Sequence, residues 1–435
     1  MKVTVEQLPQ RQVVLSIEAE PAEYEEGKHH AYQHIVANAR VPGFRKGKAP
    51  MAMVERYTGK AAFLEETIQH LIPELTGKAI DDQKLEVVGS PNIEIVTTEP
   101  VVWKATVDLL PEVDLGSYKE LRVPEEPVDA TEDEIAASIE ELRRNLAPWE
   151  PVLRPAQLGD LVTLDQVATE GGRVVGEDKD TQFEMVGGSN RPGPGFPEQL
   201  VGLSAGDSKE FDLVFPGEDS RREVAGKTVH FSVTIKDVKA KNLPTLDDEF
   251  AKSVGDDFDT FPQLRQRVQE QVVSAKQREA RTALENRAVQ ALIDGASLAY
   301  SPGMVNHEAA HILEDQESEL RQNRISMEEY LRTMSKTRED MLAGFKPIAE
   351  QRLKRSLVLV ELRKKENLEV SDEEVGEEID RMAAGVSDPQ VIRRAFKSDA
   401  AQASIKGSLL TRKTLDRLID IVTDGKATQV EARRE

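Results

Sequence analysis

Residues 43–50, Gly43-Phe44-Arg45-Lys46-Gly47-Lys48-Ala49-Pro50, set concentrated positive charge and one aromatic ring into a strongly acidic chain. Between Arg40 and Lys60 six basic side chains (Arg40, Arg45, Lys46, Lys48, Arg56, Lys60) face one acid, Glu55, whereas the 435-residue chain carries a formal net charge of −22. Gly43 and Gly47 can take positive φ and bring backbone close to a partner, and Pro50 suits the first turn of a following helix. Phe44 can fill an apolar crevice while Arg45 grips phosphate or carboxylate, a combination that fits a ribonucleoprotein surface. The plainer interpretation is a solvated loop between two helices.

Outward from this stretch the chain has three textures. Residues 12–18 and 103–109 alternate as half-buried strands, and 22–39 and 50–66 carry helical periodicity, which puts the basic loop between two helices. Thr131-Glu132-Asp133-Glu134 is a capping box that opens a helix to about Leu146, closed by Pro148, Pro151 and Pro155. From about 152 to 240 the pattern is β, with alternation at 161–165, 210–215 and 229–235 and a short helical piece at 197–203. Beyond Leu246 nearly everything is helical, with breaks at 295–302, near Ser335 and at 367–371, and Pro347 is expected to kink one long helix. The order predicts a multidomain α+β protein.

Composition sets the limits. At 435 residues the chain should hold two to four domains, at about 100–200 residues each. Apolar residues at 39% and aromatics at 5% suffice for several small cores, and 31% charged residues point to long exposed helices. The absence of cysteine excludes disulfides, thiol catalysis and cysteine zinc sites, and agrees with a reducing cytosol. The opening residues alternate and carry an acid early, so no signal peptide is expected; no apolar run approaches membrane-spanning length, so no membrane partner is expected.

The octamer Gly43–Pro50 resembles the ribosome-docking loop of the bacterial trigger factors, and the order of everything after it is similar to that family along nearly the full length. The resemblance implies an elongated molecule in four parts: a ribosome-binding α/β domain at 1–112, a connector at 113–150 able to pack with the helical body, an FK506-binding-type (FKBP-like) antiparallel β domain with a short helix at 151–242, and an all-α chaperone body with arms at 243–435. It implies Gly43, Phe44, Arg45, Lys46, Gly47, Lys48 and Pro50 as ribosome-binding residues. The implied partners are the large ribosomal subunit (exit-tunnel proteins and rRNA) and nascent or unfolded polypeptides, with a homodimer away from the ribosome. The implied setting is the cytoplasm, partly ribosome-associated. No Walker A sequence and no G-x-G-x-x-G occurs, so neither nucleotide dependence nor any other cofactor is expected.

The run Gly193-Pro194-Gly195-Phe196-Pro197-Glu198-Gln199-Leu200-Val201-Gly202-Leu203 resembles the turn and short helix of FK506-binding-type prolyl isomerases. In that family an apolar cradle desolvates the prolyl amide and favours its twisted state, lowering a barrier of about 18–20 kcal/mol. Carried over by position, Phe183, Met185, Phe196 and Phe231 keep pocket character. Gln166 after Asp165, Val175 and Asp219 stand where the family has aromatics. The resemblance therefore implies an isomerase domain by descent with weak or absent activity; a working isomerase that uses the helices to recruit substrate is the alternative. Ordinary core packing is the structural counterpart for the three phenylalanines.

His307-Glu308-Ala309-Ala310-His311 matches the H-E-x-x-H of zinc peptidases. On a helical projection, however, Val305, Ala309, Ile312, Leu313 and Leu320 share one face, and His307, His311 and Glu314 fall on the polar side, so no metal site is assigned. His29, His30 and His34 are expected on the surface of the helix before the basic loop. The long charged helices at 261–294 and 338–366, thinly striped with Val, Leu and Ala, can project as arms, and Met304, Met327, Met334 and Met341 could adapt to varied clients.

Overall fold

Alternation at the start of the chain produces an antiparallel pair, β1 (Lys2–Leu8) and β2 (Gln12–Glu18), with Val13, Leu15 and Ile17 buried and their neighbours not. The computed structural model describes residues 1–38, 41–217, 221, 224–255, 257–386 and 388–425. They form two units, Met1–Glu125 with Thr282–Glu435, and Glu126–Arg281. After β2 come α1 (Pro21–Asn38), α2 (Met51–Thr58), α3 (Lys60–Asp82), β3 (Val87–Thr98) and β4 (Val101–Leu109). The sheet order is β1-β2-β4-β3, and α3 covers it by packing Leu71, Ile72, Leu75 and Ala79 with Leu15, Ile17, Trp103 and Ala105. Trp103 is fully buried, and its Nε1 donates to Thr76 Oγ1 at 3.0 Å, so the large ring costs no unsatisfied donor.

The single helix expected at 50–66 is instead two. Gly59, at φ 88° and ψ 147°, closes α2 and opens α3, which then runs to Asp82 through Pro73. The Gly59 N–H still donates to Glu55 O at 2.9 Å, so the break leaves that donor satisfied. Beyond β4, β5 (Glu112–Asp114) and a 3₁₀ turn at Tyr118–Glu120 lead out of the sheet.

In the Glu126–Arg281 unit, Thr131 caps α4 (Glu132–Leu146) with the expected box. Thr131 N donates to Glu134 Oε2 at 2.9 Å, and Glu134 N donates to Thr131 Oγ1 at 3.4 Å. Next come β6 (Trp149–Pro151), β7 (Leu161–Glu170), β8 (Arg173–Glu184), α5 (Phe196–Leu200), β9 (Ser208–Val214), β10 (Thr228–Lys241), α6 (Asp248–Val254) and α7 (Phe261–Gly295). The long β10 organises a five-stranded antiparallel sheet: β7 lies along one edge with β8 outside it, while β9 and β6 pair with successive stretches of β10. A second core joins Ile135 and Ile139 of α4 to Phe250, Ala251, Leu264 and Val268 of α6 and α7.

The remainder returns to the first unit. β11 (Ser297–Ala299) pairs antiparallel with β5, a strand where periodicity indicated only a break. It is followed by α8 (Pro302–Gln322), α9 (Met327–Met334), α10 (Arg338–Lys365), α11 (Asp372–Ala384), α12 (Pro389–Ala395) and α13 (Asp399–Thr423). Helix α10 passes through Pro347 without ending. The core of this part joins Leu115 and Tyr118 to Leu292 of α7, Leu362 of α10 and Leu418 and Val422 of α13. Among the described residues no helix is long and apolar enough to cross a membrane.

Candidate functional site

Two places carry the residues singled out by sequence. The first is the 41–50 turn. Beneath it Val36, Val41, Ala49, Val54 and Phe63 form a small core of their own. The turn is pinned by backbone bonds from Phe44 N to Val41 O (3.2 Å), Gly47 N to Val36 O (3.1 Å) and Lys48 N to Arg45 O (3.0 Å), and Tyr32 Oη donates to Ala49 O at 2.9 Å. Gly43 and Gly47 sit at φ 84° and 81°, with no atom within 4 Å of where a Cβ would stand, so backbone conformation rather than space requires glycine. Pro50 lies one residue before the first helical turn, as the extended N-cap of α2.

This rigid base presents its chemistry outward. Phe44 is 40% exposed, and Arg45, Lys46 and Lys48 are exposed. Among the described residues none of these three cations has a carboxylate partner; Arg40 lies outside the described residues. A ring and three unneutralised cations on a short, hydrogen-bonded turn can bury apolar area and bind anions without first breaking internal ion pairs.

The second place is the β6–β10 sheet. Phe196, fully buried at the start of α5, is the hub of an aromatic cluster: its ring centroid lies 5.3 Å from Phe183 and from Phe231, both edge-on, and 5.6 Å from Phe211. Met185 is also fully buried. A cleft of about 370 Å³ opens beside this cluster, with Gln166, Ala168, Val175, Pro192, Phe215 and Phe231 in its walls. Of the four pocket residues carried over by resemblance, Phe231 lines the cleft, whereas Phe183, Met185 and Phe196 stand in the core behind it. Gln166 and Val175, the positions without the family's aromatic, do line it; Asp219 lies outside the described residues.

Local sequence explains the cleft. Gly193 lies so close to Leu213 and Phe215 that a Cβ would come within 2.9 Å of Leu213 Cδ1 and 3.0 Å of Phe215 Cζ, so a larger residue here would make those side chains shift. Phe215 follows Leu213 by two residues on the same face, and Val229 precedes Phe231 likewise, an alternation from which both wall residues could have been found. The Arg221 guanidinium lies 4.8 Å from the Phe215 ring centroid. Gln166 Nε2 donates to Asp178 Oδ2 across the β7–β8 pair at 2.7 Å, while its buried Oε1 has no hydrogen-bond partner among the described residues. On the neighbouring position, Asp165 accepts from Lys236 at 2.8 Å and from Asp180 N at 2.8 Å, and chiefly the Lys236 bond holds its carboxyl below the ordinary range. The cleft, which Asp178 and Arg221 also line, can cover an apolar chain segment along Val175, Pro192, Phe215 and Phe231.

The H-E-x-x-H stretch lies on α8 with Ala309, Ile312, Leu313 and Leu320 buried and both histidines exposed. His307 Nε2 and His311 Nε2 approach to 3.0 Å, but Glu314 approaches the other nitrogen of His311, at 3.4 Å. Among the described residues no third ligand completes that pair. Of the methionines, Met334 is 48% exposed and Met341 is buried.

The family model described as bacterial trigger factor protein matches residues 1–142, and that of the bacterial trigger factor C-terminus matches 260–420. Similar curated proteins include the trigger factor of Dehalococcoides mccartyi strain 195, 36% identical over 439 residues that cover 100% of this chain and 98% of the relative. The trigger factor of Carboxydothermus hydrogenoformans is 36% identical over 425 residues, covering 97% and 99%. A solved structure, described as "Promiscuous Substrate Recognition in Folding and Assembly Activities of the Trigger Factor Chaperone", shares the fold with a TM-score of 0.50 and 23% identity over 97% of this chain and 100% of that one.

Proposed function

This chain belongs to the bacterial trigger factor family, and from that premise we propose that it is an ATP-independent chaperone docked at the exit of the ribosomal tunnel. It grips the large subunit through residues 43–50 and holds emerging and unfolded chains open for folding and export. The single observation that supports this most is the outward ring of Phe44 beside Arg45, Lys46 and Lys48, which no internal carboxylate neutralises among the described residues. Client chains would meet the scattered exposed apolar side chains of the helices, such as Met334, Ile348, Met382 and Val391. In this assignment 1–112 docks, 151–242 is the FKBP-like domain, 243–435 holds clients, and the protein works in the cytoplasm. The test is co-sedimentation of the full chain with ribosomes: replacing Phe44, Arg45 and Lys46 together by alanine abolishes pelleting while the circular dichroism spectrum stays unchanged. A triple variant that still pellets overturns the docking assignment.

A second activity is favoured by the cleft, whose Val175, Pro192, Phe215 and Phe231 walls suit a prolyl peptide. Prolyl isomerisation there is weak, because Gln166 and Val175 supply less apolar wall than the aromatics of the family. A prolyl-peptide isomerisation assay that finds no turnover above the uncatalysed rate removes this activity and leaves the chaperone assignment standing.

A further inference from the structure

His34 on α1 and Glu66 and His70 on α3 bring their ligand atoms within 4.8 Å of one another. Glu66 and His70 are four residues apart and so share a face of α3. Helix α1 packs close to α3 where Gly27 has no side chain: a Cβ there would lie 3.2 Å from Leu71 Cδ1 and 3.4 Å from Thr67 Cγ2, beside the Glu66–His70 face. Seven residues on, two turns along the same side of α1, stands His34.

One carboxylate oxygen serves both rings. Glu66 Oε1 is 2.6 Å from His34 Nδ1 and 3.3 Å from His70 Nε2, and the two rings lie 5.6 Å apart at 68°. A carboxylate needs one imidazole for an ion pair. Two aimed at the same oxygen from different helices converge on a common point, and neutral imidazoles would place two nitrogen lone pairs and one carboxylate lone pair there. We infer that His34, Glu66 and His70 form a site for a divalent transition-metal ion, with zinc the ion of best fit. Tetrahedral zinc, with bonds of about 2.0–2.2 Å, sets ligand atoms roughly 3.3 Å apart. The Glu66–His70 distance of 3.3 Å already meets this. The His34 contact must open by less than 1 Å, which its 57% exposed side chain permits. On binding, the neutral His34 ring keeps its proton on Nε2 and offers Nδ1, and water takes the open position. Among the described residues His307 and His311 have no such third ligand, and they lie on a single helix, so they bind more weakly. An ion held by α1 and α3 together ties the two helices, a consequence independent of ribosome docking.

The test is calorimetric titration of metal-stripped full-length chain with zinc chloride in a non-coordinating buffer, beside thermal melts with and without chelator. One ion binds per chain and raises the melting temperature, and chelator reverses the rise. His34→Ala, Glu66→Gln and His70→Ala each weaken binding by about tenfold or more, whereas the double change His307→Ala and His311→Ala leaves affinity unchanged. Should an alanine variant unfold without metal, cobalt(II) loading of the folded Glu66→Gln chain decides, through loss of the visible d–d bands that the parent shows. Absence of saturable one-to-one zinc binding, parental affinity in the three single variants, or loss of binding only in the double variant overturns the site.

Discussion

Gly43 and Gly47 hold the exposed ring and cations in one geometry because their left-handed backbone closes the turn. Gly43→Ala forces an L side chain into that region at a cost of roughly 1–2 kcal/mol. The expected outcome is weaker ribosome co-sedimentation with all three cations retained, which separates turn geometry from charge. Glu366 illustrates a residue whose role only the fold reveals: 8% exposed, it accepts from Tyr118 Oη at 2.6 Å and from Arg417 at 2.9 Å. The Tyr118 bond, with Arg417 in support, holds its carboxyl below the ordinary value, and burial pushes the Tyr118 hydroxyl up to about 12. A lowered carboxyl stabilises the fold above the ordinary value of 4.5 and loses that contribution as pH falls through the folded value. The raised tyrosine loses its contribution as pH rises from its ordinary 10 toward about 12. Glu366→Gln is expected to cost about 1–3 kcal/mol near neutral pH and to flatten the acid limb, read from urea midpoints of the helical signal across a pH series. At this scale the octamer's chemistry was legible in sequence, because charge and glycine act locally. The division of Phe183, Met185, Phe196 and Phe231 between cleft wall and core was not, since strand alternation assigns a face and only packing assigns depth.

Elements were legible where local signals dominate. Helix α4 begins at its capping box, and the Lys276 ammonium, helped by Thr131, holds the Glu134 carboxyl down at about 2. Thr131→Ala is expected to cost about 1 kcal/mol, seen as a lower urea midpoint for this region. The box also weakens as pH falls from 4.5 toward about 2, because a lowered carboxyl contributes only while ionised. Elements were misread where the signal is distant or ambiguous. An isolated glycine in a helical pattern is usually tolerated, yet Gly59 takes a conformation that a side chain resists and splits the pattern into α2 and α3. Gly59→Ala should therefore destabilise the region under the 41–50 turn by about 1 kcal/mol or more, measurable as faster proteolysis there. Strand β11 has three residues, and its partner β5 lies far back in the chain, so no local periodicity could announce it.

For the whole molecule, the net charge of −22 opposes nonspecific RNA binding, and the 41–50 turn inverts that sign locally. Ribosome affinity is expected to fall steeply with salt, with a log–log slope on the order of −3 for three phosphate contacts. Lys46→Ala should reduce that slope by about one; a salt-independent affinity would contradict a phosphate-driven contact.

By itself the sequence determined the succession of α/β, β and helical segments, the capped start of α4 and the cationic turn, because periodicity, capping and charge depend on neighbours within a few residues. Only the tertiary structure decided which aromatics wall the cleft, how β5 meets β11, and that His34 meets Glu66 and His70. Those depend on the distance between chain segments far apart in sequence, which packing sets: at Gly27 against Leu71, and at Gly193 against Leu213 and Phe215.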